Sequence, residues 1–168
     1  MYLRESKAKF RQLHKLIDKP LWFQPCTIAE IDELKNFLNL PIPKAYEELL
    51  LWIGHGCEVL DSHGGHFSSN DGANLQELGL EIMQENGASE TLPTDAIVFW
   101  IFDEAYSFAF IRASEGDDPP IHYFSGLQRD ANGQYQNHPS VQWNWCSTLD
   151  KLCLSWIEAC IERRYPAP

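Results

Sequence analysis

The chain has 168 residues, 13 basic against 24 acidic side chains and a net charge of -11, with 44% apolar and 12% aromatic residues. That is enough sequence and apolar surface for one domain, 1–168, with its own core, and the charge is wrong for nucleic acid, whose phosphates are held by Lys and Arg. No apolar run approaches the roughly 20 residues that cross a bilayer, and the N-terminus lacks the continuous apolar stretch of a secretory leader, so no membrane is expected and the cytoplasm is the expected compartment.

The first predicted element is an amphipathic helix from about Leu3 to Ile17, with Phe10, Leu13, Leu16 and Ile17 at helical spacing. Its basic face raises a membrane surface as one destination, but packing on the domain is the expectation. Lys19-Pro20 ends it. Thr27 then reads as an N-cap with Glu30 at capping-box distance, and Ile28, Ile31, Leu34, Phe37 and Leu38 are the expected core face of a second helix that turns at Asn39-Leu40-Pro41.

A third helix follows at once, with Pro43 suited to its first turn and Ile42, Tyr46, Leu49, Leu50 and Ile53 sharing one apolar face. Gly54 or Gly56 is expected to take the left-handed conformation that ends it. Cys57–Leu60 fits a short strand, and 61–72, with three glycines, an exposed loop. Leu75, Leu78, Ile82 and Met83 support another helix, which stops at Asn86-Gly87 and turns Glu77, Glu81 and Glu85 to solvent.

Ala96–Phe102 is a continuous apolar run rich in β-branched and aromatic residues, the pattern of a central strand buried on both faces. Asp103-Glu104-Ala105 connects it to an antiparallel partner, Tyr106–Arg112. After the acidic loop 115–120, Ile121–Phe124 makes a third strand, so a three-stranded meander is the simplest sheet, and Val141–Trp145 alternates as a further strand would. Thr148 or Ser147 caps a last helix, on which Leu149, Leu152, Cys153, Trp156, Ile157, Cys160 and Ile161 form the apolar stripe. The five cysteines are expected to be reduced and mostly buried, Cys153 and Cys160 in that stripe.

A capped helix, then Ile42-Pro43-x-x-Tyr46-x-x-Leu49-Leu50-x-x-x-Gly54, then apolar strands, Pro120 ahead of Ile121-His122-Tyr123 and a closing helix, form an order that resembles the SUKH superfamily from Thr27 to Ile161. The resemblance implies an α+β single domain, helices packed around an antiparallel or mixed sheet, with residues 1–26 an N-terminal helix and connector and 27–161 the core. It also implies no catalytic centre. Bacterial relatives are immunity proteins against polymorphic or contact-dependent toxins, often nucleases, and fungal relatives are cell-wall regulatory interaction modules. Where relatives carry a glycine-rich turn between strands this chain has Asp103-Glu104-Ala105, so its contact surface is expected to be its own.

Residue chemistry leads the same way. His63-Gly64-Gly65-His66, with Cys57, Asp61 and Asp71 near in sequence, lacks zinc-site spacing, and Cys57 near His55 is the one pair of nucleophile and base worth testing. Phosphate loops, dinucleotide fingerprints and Gly-x-Ser-x-Gly are absent. The expectation is therefore a non-enzyme with no metal, no cofactor and no small-molecule ligand. Its expected partner is a protein, in particular a basic toxin domain such as a nuclease, with a regulatory interaction module as the alternative and a hydrolase using His63 and His66 as the third class. The expected contact residues are the acidic turns Asp103, Glu104 and Asp117, Asp118, with Tyr106 as apolar anchor. A meander sends those turns to opposite ends of the sheet, and the first, beside Tyr106, is preferred.

Overall fold

The computed structural model describes residues 1–16, 21–61, 65–66, 72–102, 106–129 and 132–164. Helices α1 (Arg4–Leu16), α2 (Ile28–Leu38), α3 (Lys44–Ile53) and α4 (Glu58–Asp61) precede strand β1 (Gly65–His66) and helix α5 (Gly72–Glu85). Strands β2 (Ala96–Phe102), β3 (Ser107–Arg112), β4 (Ile121–Arg129) and β5 (Tyr135–Cys146) follow, and α6 (Leu149–Arg164) closes the order. The sheet runs β1-β2-β3-β4-β5 with every neighbour antiparallel, which makes this an α+β fold.

Side-chain alternation divides the core in two. Ala96, Val98 and Ile101 of β2 and Phe108 and Phe110 of β3 join Phe124 of β4 beneath α5, while Ile97, Phe99, Trp100, Ala109, Ile111 and Ile121 face α3 and α6. Phe99 and Trp100 are neighbours in sequence yet share a face, because the β2–β3 register slips between Val98 and Trp100 and the bulge spends one residue without a change of side. β2 is buried on both faces as its composition predicts, although β3 is the middle strand and β1 pairs only with Ile101 and Phe102. The meander is longer than expected, since β4 runs on to Arg129 and β5 begins at Tyr135.

The helix carrying the sequence motif is built as its periodicity predicts, with Ile42, Tyr46, Leu49, Leu50 and Ile53 all buried. Its ends differ in detail from expectation. Pro43 is the cap residue (φ -55°, ψ 142°), ahead of the first helical turn. The left-handed glycine is Gly56 (φ 105°), whereas Gly54 is right-handed and serves packing: a Cβ there would strike Cys26 Sγ and the backbone of Leu50. The connector before α2 is threaded against this spot, with Cys26 N–H donating to Leu50 O (2.9 Å), His55 N–H to Gln24 O (2.9 Å) and Gln24 N–H to Gly56 O (3.1 Å).

The capping box at α2 is present, with Glu30 N–H donating to Thr27 Oγ1 and Thr27 N–H to Glu30 Oε2. Only the inner half of the predicted α2 face is used: Ile31 and Leu34 are buried, Leu38 is partly so, and Ile28 and Phe37 are 69% and 55% exposed. Cys57–Leu60 is not a strand. Cys57 makes a single bridge to Phe23 and the chain then enters the one-turn helix α4. α1 packs on the domain, where Asp150 of α6 accepts from Ser6 N–H (2.9 Å), Ser6 Oγ (2.6 Å) and Glu5 N–H (3.1 Å), and Ser6 is fully buried.

Candidate partner-binding surface

Phe102 and Tyr106, which flank the first acidic turn in sequence, and the loop 115–120, which holds the second, lie at opposite ends of β3, and the two are not equivalent. The second is fastened to the helices. Pro43 offers α3 no side-chain cap, and Ala45 N–H instead donates to Asp117 O at 2.8 Å while Lys44 Nζ reaches Asp117 Oδ2 at 2.7 Å. The hydrogen bond and charge of Asp117 raise the pKa of Lys44, and burial, helped by the charge of Asp150, raises that of Asp118. Asp117 is thus half of a structural contact. At the first turn, Asp103 and Glu104 lie outside the described residues. Tyr106 is 47% exposed, and its carbonyl accepts from Gly126 N–H at 2.8 Å, which holds it at the edge of β4.

Phe102, the residue before that first turn, belongs to an aromatic cleft of about 450 Å3 on the α6 face, lined by Trp100, Phe102, Tyr123, Gln142, Trp145, Trp156 and Arg163. Trp100 is the centre of the wall, with ring centroids 4.1 Å from Phe102 and 4.2 Å from Trp156. Tyr123 meets Phe102 edge-on at 5.4 Å and stacks on Trp145 at 4.9 Å. Trp145 is 40% exposed at the mouth. Among the described residues, Trp100 Nε1 is the one buried side-chain polar atom without a hydrogen-bond partner.

A break in β5 makes this cleft. Ile121 pairs with Cys146 but Tyr123 with Gln142, so β5 carries two extra residues there. Asn144 absorbs them at φ 55°, a left-handed conformation that Asn tolerates better than most side chains, and its N–H donates to His122 Nδ1 at 3.1 Å. His122 is buried, so Nδ1 must be its acceptor nitrogen and Nε2–H its donor, aimed at Glu115 Oε2 2.8 Å away. The bulge sends its two flanking tryptophans to opposite faces. Trp143 lies against His122 (5.0 Å) and Phe110 (5.9 Å) on the α5 face, and Trp145 joins the cleft.

Sequence reading missed this cleft because it treated Trp143 and Trp145 as ordinary strand residues. The available signal was their separation by an asparagine, the residue type that lets a strand change face.

His55 Nε2 stands 3.0 Å from Glu30 Oε1, and Cys57 is buried in the core, so the Cys–His pair has its thiol inside the protein. Burial raises the pKa of Cys153 well above that of a free thiol, aided by Cys57 and Asp150. Among the described residues no group of three His, Cys, Asp or Glu could hold a metal; His63 and Asp71 lie outside them. Nor is any helix among them long and apolar enough to cross a membrane.

The sequence model of the SMI1/KNR4 family (SUKH-1) matches residues 25–142, from the connector before α2 into β5. No curated protein and no solved structure matches the chain. The matched span leaves out α1, α6 and the two tryptophans of the β5 bulge.

Proposed function

This chain belongs to the SMI1/KNR4 family (SUKH-1), and from that premise we propose that it is a cytoplasmic immunity protein that neutralises a cognate bacterial toxin by binding it, without catalysis. The family carries a protein-interaction role, and that membership is the observation on which the proposal rests. The net charge of -11 favours a basic toxin domain, such as a nuclease, by steering its approach.

Residues 1–168 act as one domain in this reading, which the hydrogen bonds of Asp150 that tie α1 to α6 support. The contact surface we propose runs from the aromatic cleft to the first turn: Trp145 as the apolar anchor in the cleft, which Phe102 extends toward that turn, Tyr106 as a second anchor, Asp103 and Glu104 as an acidic rim, and Asp117 and Asp118 outside it. Interface energy concentrates in a few aromatic residues seated in pockets, and rim charges act mainly on the association rate. The same family membership supports a regulatory interaction module, and the adjoining genes separate the two readings, since an immunity gene lies beside a large toxin gene.

Co-expression with that neighbouring toxin is the test. Cells survive if the proposal holds, Trp145→Ala weakens protection at unchanged fold, and reversal of Asp103 and Glu104 slows association. Death of cells that carry the wild-type protein removes the immunity reading, and undiminished protection by Trp145→Ala removes the proposed surface.

A further inference from the structure

Two helices carry stripes of like charge. Lys7, Arg11 and Lys15 recur every four residues on α1, and Glu77, Glu81 and Glu85 do so on α5, where all three are exposed. Residues four apart on a helix are about 6 Å apart along one face, and like charges there repel. Each stripe therefore works against its own helix unless something of opposite charge lies along it.

One relief is visible. Lys7 Nζ is 2.7 Å from Glu48 Oε1, but among the described residues no carboxylate lies within ion-pair distance of Arg11 or Lys15, and no cation within that distance of Glu77, Glu81 or Glu85. The stripes cannot satisfy each other within one chain. α1 buries Phe10 and Leu13 in the core on the α6 side of the sheet, and α5 buries Leu75, Ile82 and Met83 in the core on the other.

Shape agrees with charge. The α1 stripe borders a groove of about 720 Å3 with an aromatic floor, in which Phe10 meets Phe23 edge-on at 5.8 Å and Trp52 at 5.4 Å. On α5, Leu80 is 49% exposed and shares the outer face with Glu77 and Glu81, an apolar knob between two carboxylates. We propose that the α1 groove receives α5 of a second copy of this chain, with Leu80 on the aromatic floor and Glu77 and Glu81 against Arg11 and Lys15.

Such a contact is heterologous. Each copy presents its groove to one neighbour and its α5 to another, so assembly proceeds head to tail into a string or a ring. This inference is independent of the immunity reading.

Sedimentation velocity of the full chain over a concentration series, in low and in high salt, tests it. The expected result is a mass above that of one chain that grows with concentration and collapses in high salt, because exposed ion pairs are screened over distances of about 10 Å or less. R11E/K15E and E77K/E81K are each expected to sediment as one chain at every concentration. Their equimolar mixture associates again, since it restores opposite charges at both contacts, and that restoration also shows both variants folded. A wild type that stays at the mass of one chain throughout overturns the proposal, as does association that persists in either variant or a mixture that stays monomeric. Binding to phosphatidylserine vesicles that R11E/K15E abolishes, with no self-association of the wild type, assigns the groove to a membrane surface instead and overturns it equally.

Discussion

The two faces of the sheet are covered unequally. The core on one face draws side chains from α1, α2, α3, α4 and α6, whereas the other is closed by α5, which packs on β2, β3 and the near side of β4. Neither set of helices reaches across β5, most of which is exposed or half-buried along its length. The aromatic residues that β5 turns outward therefore stand where helix cover runs out, and the proposed partner surface is a consequence of that shortfall.

Two leucines sharpen the comparison first. Leu49 of α3 is fully buried in the larger core, and Leu75 lies in the first turn of α5. Truncation of a buried leucine to alanine costs about 2–5 kcal/mol, less where neighbours can collapse into the space. Leu49→Ala is expected near the top of that range and Leu75→Ala near the bottom, by urea denaturation; equal costs break the idea that the faces differ in packing.

Asp150 comes next, as the acceptor of three hydrogen bonds that join α1 to the larger face. Hydrogen bonds to a charged group are worth about 1.5–3 kcal/mol each in net terms, and the N–H of buried Ser6 loses its acceptor while its hydroxyl keeps the Asp150 carbonyl. Asp150→Ala is expected to cost at least about 2 kcal/mol and to raise amide exchange in α1 ahead of the sheet. If α1 and the sheet lose protection together, the helix is not a separable layer. The capping box of α2 is smaller and local: Thr27→Ala is expected to cost about 1 kcal/mol in thermal unfolding.

Acid provides a gentler probe of the α1 contact. Burial tends to raise the pKa of Glu48, but hydrogen bonds from Lys7 Nζ and Tyr2 N–H, with the charge of Lys7, outweigh it and leave the group below its ordinary value. A depressed folded-state pKa contributes stability above the unfolded value of about 4.3 and loses it as pH falls through the lower folded one. Glu48→Gln is accordingly expected to flatten the acid limb of the stability profile below about pH 4.3. An unchanged slope would mean that the Lys7–Glu48 pair contributes nothing to folding.

The smallest effect is kinetic. Cys26, Cys57, Cys153 and Cys160 are buried and Cys146 is half-exposed, so a thiol reagent on the native protein should label Cys146 first and Cys153 only as the protein opens. Rapid labelling of Cys153 and Cys160 would mean that α6 presents its other face to the sheet.

Sequence by itself determined the elements whose cause is local. The apolar stripes of α3 and α6, the capping box at Thr27 and the composition of β2 each depend on residues within a few positions of one another, and each is found as read. Tertiary structure decided what depends on cover and register. Ile28 and Phe37 have helical periodicity like Ile31 and Leu34, but an α-helix buries only the side that meets another element, and no periodicity says how wide that side is. Gly54 is required by the passage of Cys26, a neighbour 28 positions away in the chain that no local pattern announces. The cleft of Trp100, Tyr123 and Trp145 exists because two bulges, one in β2 and one in β5, move side chains across the sheet. A bulge is set by pairing with a distant strand, so alternation read along one strand assigns the wrong face beyond it.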